Sequence, residues 1–460
     1  MINHKNSKNS LRRKLLLISV ICLPLVLISF WRYSDGVAAK TQDTYKNLET
    51  FSSVLSLVQQ SYVEEIDPEK AIDGAIKGML TSLDPHSSYM KPDDYKELQV
   101  ETKGSFSGIG IEITMKDNIL TVVSPIEGTP AFKEGLKAGD KIVKIGYELT
   151  QEMTLMEAVK RLRGPQGTPV TISIHRKGWT ELKDITITRD VIPILSVKSR
   201  MLEPGYPYIR IINFQSQTTN DFKKALDELS GKDEVQGLVI DLRNNPGGLL
   251  DQAIKIADVF IDKGVIVSTQ GRIKSQNDVA EAHDGNGKYT FPIVVLVNEG
   301  SASASEIVAG ALQDHKRALI LGAQTFGKGS VQTIIPLSNG AGLRLTTARY
   351  YTPSGRSIQA TGIAPDVVVP SDATPLESAE KDDENHKKLN FLREKDLKHH
   401  ITNGMEESED AEKTEEVPEA TEGTAEEEKE KELAELRKDP QLYSALMLLK
   451  GVNVFNGIRN

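Results

Sequence analysis

Apolar positions change their period several times along the chain, and each change marks a new kind of element. Leu15 to Trp31 is a 17-residue apolar run with no charged side chain, preceded by Arg12, Arg13 and Lys14. That order is the one of an export leader, a positive region followed by an apolar one. Leu48, Phe51, Val54, Leu55, Val58 and Tyr62 then recur at helical spacing, and a second helical stretch runs from Glu69 to Leu83. The first stripe reads as a core face, with dimerisation as the alternative if it is exposed. From about Thr102 short β-rich runs with glycine punctuation take over, at Gly108 to Met115, Ile119 to Val123, Lys141 to Ile145 and Val170 to His175. One helix interrupts them. The capping-box pair Thr154 and Glu157 opens it, Leu155, Val159 and Leu162 line it, and Gly164-Pro165 stops it after Arg163.

After Arg189 strands and helices alternate. A strand at Tyr208 to Ile212 precedes a helix with Phe222, Ala225, Leu226 and Leu229 on one face. The apolar strand Val235 to Leu242 runs into Arg243-Asn244-Asn245-Pro246-Gly247-Gly248, and a helix from Leu249 to Phe260 follows. A second such unit is the strand Pro292 to Val297, the turn Glu299-Gly300-Ser301-Ala302-Ser303-Ala304-Ser305-Glu306 and a helix to about His315. Ser371 to Glu435 has no apolar periodicity and reads as a solvated, disordered linker. Asp439-Pro440 then opens a last helix carrying Leu442, Leu446, Leu449 and Val452. The pattern divides the chain into a leader or anchor (1–39), a helical region (40–101), a β-rich domain (102–190), an α/β core (191–370), an acidic linker (371–438) and a terminal helix (439–460).

Charge and cysteine content narrow the function. The chain has 460 residues and a net charge of −9, yet Glu406 to Glu435 alone holds 15 acidic side chains against three lysines. The rest is near neutral and has no basic stripe for phosphates, so nucleic acid is not an expected partner. Cys22 is the only cysteine and lies in the apolar run, which rules out an intramolecular disulfide and a cysteine nucleophile. Val37-Ala38-Ala39 offers small residues for leader cleavage, while the run before it is long enough to stay as a membrane anchor. The expected location is extracytoplasmic, either periplasmic or anchored to the inner membrane.

The candidate chemistry sits at the turns. A strand, a glycine turn and a helix together present free N–H groups where an oxyanion can be stabilised. Gly247 and Gly248 are therefore donor candidates, or serve only the turn. Ser303 is a candidate nucleophile in a turn of small residues at a helix start, but with Glu306 it also fits a plain capping box. In Thr325-Phe326-Gly327-Lys328-Gly329-Ser330-Val331-Gln332, strand alternation puts Lys328 and Gln332 on one face. A lysine acts as base only when uncharged, and bringing its pKa from near 10.4 to 7 or 8 takes about 4 kcal/mol of desolvation or charge effects. Gln332 is suited to orienting that amine without adding negative charge.

Two resemblances give these motifs a context. Ser105-Phe106-Ser107-Gly108-Ile109-Gly110-Ile111 with Gly135-Leu136-Lys137-Ala138-Gly139-Asp140-Lys141-Ile142 resembles a PDZ domain. Its loop and strand residues Ser107, Gly108, Ile109, Gly110 and Ile111, with Val159 and Arg163 of the helix, form the expected peptide site, where a carboxylate is captured and a strand is added. Arg163 reads either as a sensor of the bound tail or as a solvated helix end. The wider set adds Leu83-Asp84-Pro85-His86-Ser87, Asp241-Leu242-Arg243-Asn244-Asn245-Pro246-Gly247-Gly248, Gly300-Ser301-Ala302-Ser303-Ala304-Ser305-Glu306, Thr325-Phe326-Gly327-Lys328-Gly329 and Gly362-Ile363-Ala364-Pro365-Asp366. From roughly Tyr45 to Pro370 the chain resembles the carboxyl-terminal processing peptidases, also called tail-specific proteases.

That resemblance implies an α/β fold of the α+β kind: a crotonase-like protease core, an inserted PDZ domain and a helical amino-terminal region. It implies Ser303 as nucleophile, Lys328 as general base and Gln332 as its orienting partner. Ala304 and one glycine of the 247–248 pair supply the oxyanion N–H groups. Neither a metal nor another cofactor is implied. The substrates are exported proteins with accessible apolar carboxyl-terminal tails, cut near those tails; an adaptor protein and a homo-oligomer stay open. His86, His283 and His315 read as structural or surface residues. Two rivals predict different behaviour. A catalytically dead PDZ scaffold binds tails without cutting them, and a crotonase-like acyl-thioester enzyme uses the same N–H donors on another substrate.

Overall fold

A computed structural model of the chain describes residues 43–116, 119–231, 233–284, 289–370, 393–401 and 436–459, with side chains described to 455. The apolar run at 15–31 and most of the acidic stretch lie outside the described residues. Among the described residues no helix is long and apolar enough to cross a membrane. The chain divides after Met79 into two compact units.

In the first unit, residues 43–61 are helical and a second helix spans Pro68–Thr81. The helical period is therefore correct, but the core-face expectation for its first stripe is not: Leu48, Phe51, Val54, Val58 and Tyr62 are exposed. Periodicity reports which side chains share a face and says nothing of what covers that face.

The second unit has two cores with different sheets. The β-rich part holds strands Ile111–Lys116, Ile119–Pro125, Lys141–Ile145, Pro169–His175 and Lys183–Thr188 in that spatial order, with Glu148–Leu149 paired to the third. The expected strand at Gly108 to Met115 is broken, because Gly110 adopts φ 80 between Ser105–Gly108 and Ile111–Lys116. Ile109, Leu120, Val122, Ile142, Ala158, Leu162, Ile172 and Ile174 pack its core. Ser105–Gly108 pairs antiparallel with Asp190–Pro193, so the domain leaves and rejoins the chain at one place.

The α/β part is built on a six-stranded sheet ordered Val197–Glu203, Tyr206–Ile211, Leu238–Asp241, Ile293–Val297, Leu319–Gly322 and Val367–Val368. The first pair is antiparallel and the rest are parallel. Alternate residues of the central strands serve opposite faces. Ile240, Val295 and Ile320 pack with helices Thr218–Ser230, Leu250–Asp258 and Ala304–Asp314. Val239, Val294 and Leu321 pack with Leu442, Ala445, Leu446 and Leu449 of the terminal helix Pro440–Arg459. The terminal helix thus docks on its own chain, while Val452 stays exposed. A five-stranded sheet lies alongside, in which Ser88–Met90, Ser330–Pro336 and Val265–Gly271 all pair with Gly342–Tyr351. The parallel sheet brings the turns after Leu238–Asp241 and Ile293–Val297 to one end, and ligands gather at such carboxyl ends.

Part of the stretch expected to be a solvated linker is ordered. Within 393–401 the carboxylate of Glu394 is fully buried and accepts from Gln359 Nε2 at 2.8 Å, with His86 Nε2 2.7 Å from its other oxygen. A single buried anchor leaves no periodic trace in the sequence.

Candidate active site

Two turns at the carboxyl ends of neighbouring parallel strands meet at Ser303. The first follows Leu238–Asp241. Arg243 is clasped there by Asp241 at 2.7 Å and by Asp439, before the terminal helix, at 2.8 Å. Gly247 and Gly248 then adopt φ 102 and φ 141. A Cβ on Gly247 would lie 2.8 Å from Ala302 O and 2.9 Å from Ser303 Cβ; one on Gly248 would lie 2.2 Å from Phe214 O. Only glycine allows this backbone and this approach.

The second turn carries Ser303, at φ 55 and ψ −111. That conformation is strained for any residue with a Cβ and persists only where surrounding bonds impose it. Here they do: Ser301 Oγ donates to Leu242 O at 2.8 Å, Ala302 N–H to Asn245 O at 3.0 Å, and Ser305 Oγ to Asn245 O at 3.0 Å. Of the capping box read from the sequence, the bond from Ser303 N–H to Glu306 Oε2 is made, at 2.7 Å. Ser303 stands directly before Ala304–Asp314, whose dipole presents its positive end there. Gly247 N–H is committed to Asn245 Oδ1 at 2.9 Å. The N–H groups of Gly248 and Ala304 have no partner among the described residues, and both belong to the set expected to face an oxyanion.

The lysine arrives on a turn, not in a strand. The strand begins at Ser330, and a bulge between Val331 and Gln332 breaks its alternation. Simple strand alternation therefore does not relate Lys328 to Gln332. Gly329 packs so tightly against Gln359 that a Cβ would meet its backbone N at 2.3 Å. Burial, then the nearby positive Arg344, hold the Lys328 amine below the usual lysine range; Glu394, Glu306 and Asp84 pull the other way.

Gln332 donates from Nε2 to Thr346 Oγ1 at 2.8 Å and to Ser330 Oγ at 3.3 Å. Thr346 N–H in turn donates to Ser87 Oγ at 3.1 Å, and Ser87 Oγ donates to Asp84 Oδ2 at 2.6 Å. This chain fixes the amide and leaves Gln332 Oε1 buried without a partner, an acceptor awaiting a donor. No hydrogen bond among the described residues joins Lys328 Nζ to Ser303 Oγ or to Gln332 Oε1. Burial would raise the Asp84 carboxyl, yet the Ser87 hydroxyl and the His86 and Ser87 amides hold it below its ordinary value.

One residue read from sequence only as a cap proves central. Glu306 is fully buried. Its Oε2 accepts Ser303 N–H at 2.7 Å and Lys328 N–H at 2.9 Å; its Oε1 accepts Gly327 N–H at 2.7 Å and Thr325 Oγ1 at 2.5 Å. Asp84, Ser87, Thr346 and Glu394 also escaped assignment as parts of the site. Only Leu83-Asp84-Pro85-His86-Ser87 carried a signal, as a motif without a role.

In the β-rich domain Gly108, Ile109, Gly110, Ile111, Val159 and Arg163 line one cavity of about 100 Å³. Ser107 does not line it, and its Oγ is buried without a partner. The Ile109 side chain belongs to the core, leaving its backbone to face the groove. Gly110 is required by Thr129, whose Cβ would lie 2.3 Å from an added Cβ. Arg163 stacks 4.6 Å over the Phe106 ring and lies 3.9 Å from Glu97.

A PDZ-type domain joined to an α/β core with a serine at a strained strand-to-helix turn defines the class as serine-type peptidase. Residues 205–369 match the model of peptidase family S41, residues 107–187 that of the PDZ domain, and residues 32–94 that of the activating protease CtpB amino-terminal domain. The chain is 54% identical over 333 residues to a carboxy-terminal-processing protease of Bartonella bacilliformis, covering 71% of this chain and 76% of that one. It is 38% identical to the carboxy-terminal processing protease CtpA of Bacillus subtilis, over 72% of this chain and 70% of that one. Among solved structures, the photosystem II D1 C-terminal processing protease aligns with 34% identity, a TM-score of 0.41, and coverage of 70% and 92%. The chain belongs to peptidase family S41, the carboxy-terminal processing proteases.

Proposed function

We propose that this protease cleaves exported proteins near their carboxyl termini by a Ser303–Lys328 acyl-enzyme mechanism, with its PDZ domain capturing the substrate tail. The observation that carries the reading is Ser303 at φ 55, ψ −111, pressed against Gly247 at the positive end of a helix. Strain of that kind on a serine beside unpaired N–H groups suits a nucleophile.

In the reaction the neutral Lys328 amine takes the Ser303 proton as Oγ attacks the scissile carbonyl. Gly248 and Ala304 donate to the oxyanion; Gly247 N–H takes part only if it leaves Asn245. Collapse of the adduct breaks the C–N bond, and the Lys328 ammonium returns its proton to the leaving amine. The same amine then deprotonates water, which attacks the acyl-enzyme and frees Ser303. Gln332 Oε1, buried without a partner, orients the amine once its N–H turns toward it. Residues 1–39 act as export leader or membrane anchor, which places the enzyme outside the cytoplasm.

The test is a soluble form starting at Thr41 incubated with an unfolded protein that ends in apolar residues. Cleavage that disappears in Ser303→Ala and in Lys328→Ala supports the mechanism, and persistence in either sinks it. Amidating the substrate's terminal carboxylate should cut the rate steeply; indifference removes the PDZ domain from recognition.

A further inference from the structure

Among the described residues Glu306 is the one fully buried carboxylate that hydrogen-bonds both reacting turns, and the mechanism above gives it no task. Its four donors come from two separate segments. Ser303 N–H belongs to the turn before Ala304–Asp314, while Thr325 Oγ1, Gly327 N–H and Lys328 N–H belong to the turn before Ser330–Pro336. A simple capping box needs only the first of these bonds. A cap has no use for three donors from a segment 19 to 22 residues away.

We propose that Glu306 is the positioning residue of the dyad, a carboxylate clamp that ties the Ser303 turn to the Lys328 turn. The inference rests on the Ser303–Lys328 reading. Geometry carries it: Oε2 alone joins the Ser303 and Lys328 amides, at 2.7 and 2.9 Å, so one atom sets the spacing of the two main chains. That bond also helps to hold Ser303 at its positive φ. Charge gives the clamp a readout: Arg344 lowers the proton affinity of the Lys328 amine, while Glu394, Glu306 and Asp84 raise it. Of the three carboxylates, Glu394 is paired with His86 and Gln359, and Asp84 with Ser87. Glu306 differs in being bonded to the lysine's own backbone.

Burial pushes the Glu306 carboxyl up to about 7, against the opposing pull of the Thr325 hydroxyl and of the Gly327, Ser303 and Lys328 amides. A proton on either oxygen displaces one of the four donors. Acid therefore loosens the clamp as well as charging the lysine, and both effects act on the same limb of the rate profile.

The test measures kcat/KM against pH for wild type, Glu306→Gln and Glu306→Asp, with Tm as a control and Ser303→Ala and Lys328→Ala alongside. Glu306→Gln keeps the shape but turns one acceptor into a donor and removes the charge. Its plateau should fall by about 10²-fold, the cost of a small misplacement of reacting groups, and its acid limb should move roughly one unit lower. Glu306→Asp retains the charge and shortens the reach, so its plateau should fall with the limb unmoved. A plateau loss in Glu306→Gln without a limb shift, or a limb shift of equal size in Glu306→Asp, overturns the clamp. If Glu306→Gln does not fold, the Glu306→Asp profile decides alone, and a wild-type plateau there overturns it. Cleavage that survives Ser303→Ala or Lys328→Ala would instead sink the underlying dyad, which the Glu306 profiles cannot do.

Discussion

The turns that carry Ser303 and Lys328 and the helix beside the PDZ groove are held by different means. At the turns a buried carboxylate, glycines with no room for a side chain and buried serine hydroxyls fix the backbone. In the PDZ domain Gly110 is likewise held by the buried Thr129 hydroxyl, but the helix beside the groove meets helix Pro92–Lys103 through ion pairs near solvent: Lys160 with Asp93, whose side chains are 76% and 85% exposed, and Arg163 with Glu97. Buried networks are costly to disturb, whereas exposed ion pairs contribute about 0 to 1 kcal/mol. The comparison sets a backbone locked by buried bonds at the two turns beside a helix tied to its neighbour by charges near solvent.

The strongest blow to that contrast would come from the dyad itself. Ser303→Ala should lower kcat by about 10³-fold or more with Tm unchanged, as expected for loss of a nucleophile; a drop in Tm with activity retained would make Ser303 a structural cap. Gly247→Ala should follow. Its Cβ would crowd Ala302 O and Ser303 Cβ at a backbone φ of 102, costing roughly 1–3 kcal/mol of stability and about 10²-fold in kcat. Normal activity in that variant would show the turns to be pliable.

A third measurement concerns pH. Because burial and Arg344 hold the Lys328 amine below the lysine range, kcat/KM should rise with pH and reach half its plateau below about 10.4. The unfolded chain binds this proton more tightly than the folded one, so the Lys328 contribution to stability rises with pH between the two pKa values. Lys328→Met should remove that part of the slope, as read by Tm across pH. The smallest effect is expected at the groove. Glu97→Gln should change stability by less than about 1 kcal/mol and alter KM for free-carboxylate tails more than kcat. A large loss of Tm there would erase the difference between the two regions.

Much of the site was legible because its chemistry is local. The strand, glycine turn and helix around Gly247 and Gly248 and around Ser303 appear as apolar runs broken by small residues. Lys328 was legible as a residue but not in its setting, since it stands in the turn before Ser330–Pro336 and a bulge between Val331 and Gln332 breaks the alternation expected to relate the two residues. Glu306 showed one of its bonds, to a residue three positions away; the other three come from the segment around Thr325 and Lys328. Glu394 showed nothing, because its partners His86 and Gln359 lie 308 and 35 residues distant.

Sequence alone determined the helical and strand periods and supplied the residue types proposed as nucleophile, base and oxyanion donors. These follow from local periodicity, steric demand and side-chain chemistry. Tertiary structure decided which face of a stripe is covered, which glycine N–H stays unpaired, and that one buried carboxylate joins the serine turn to the lysine turn. Such choices depend on contacts between segments far apart in the chain, and a linear pattern does not encode the distance between them.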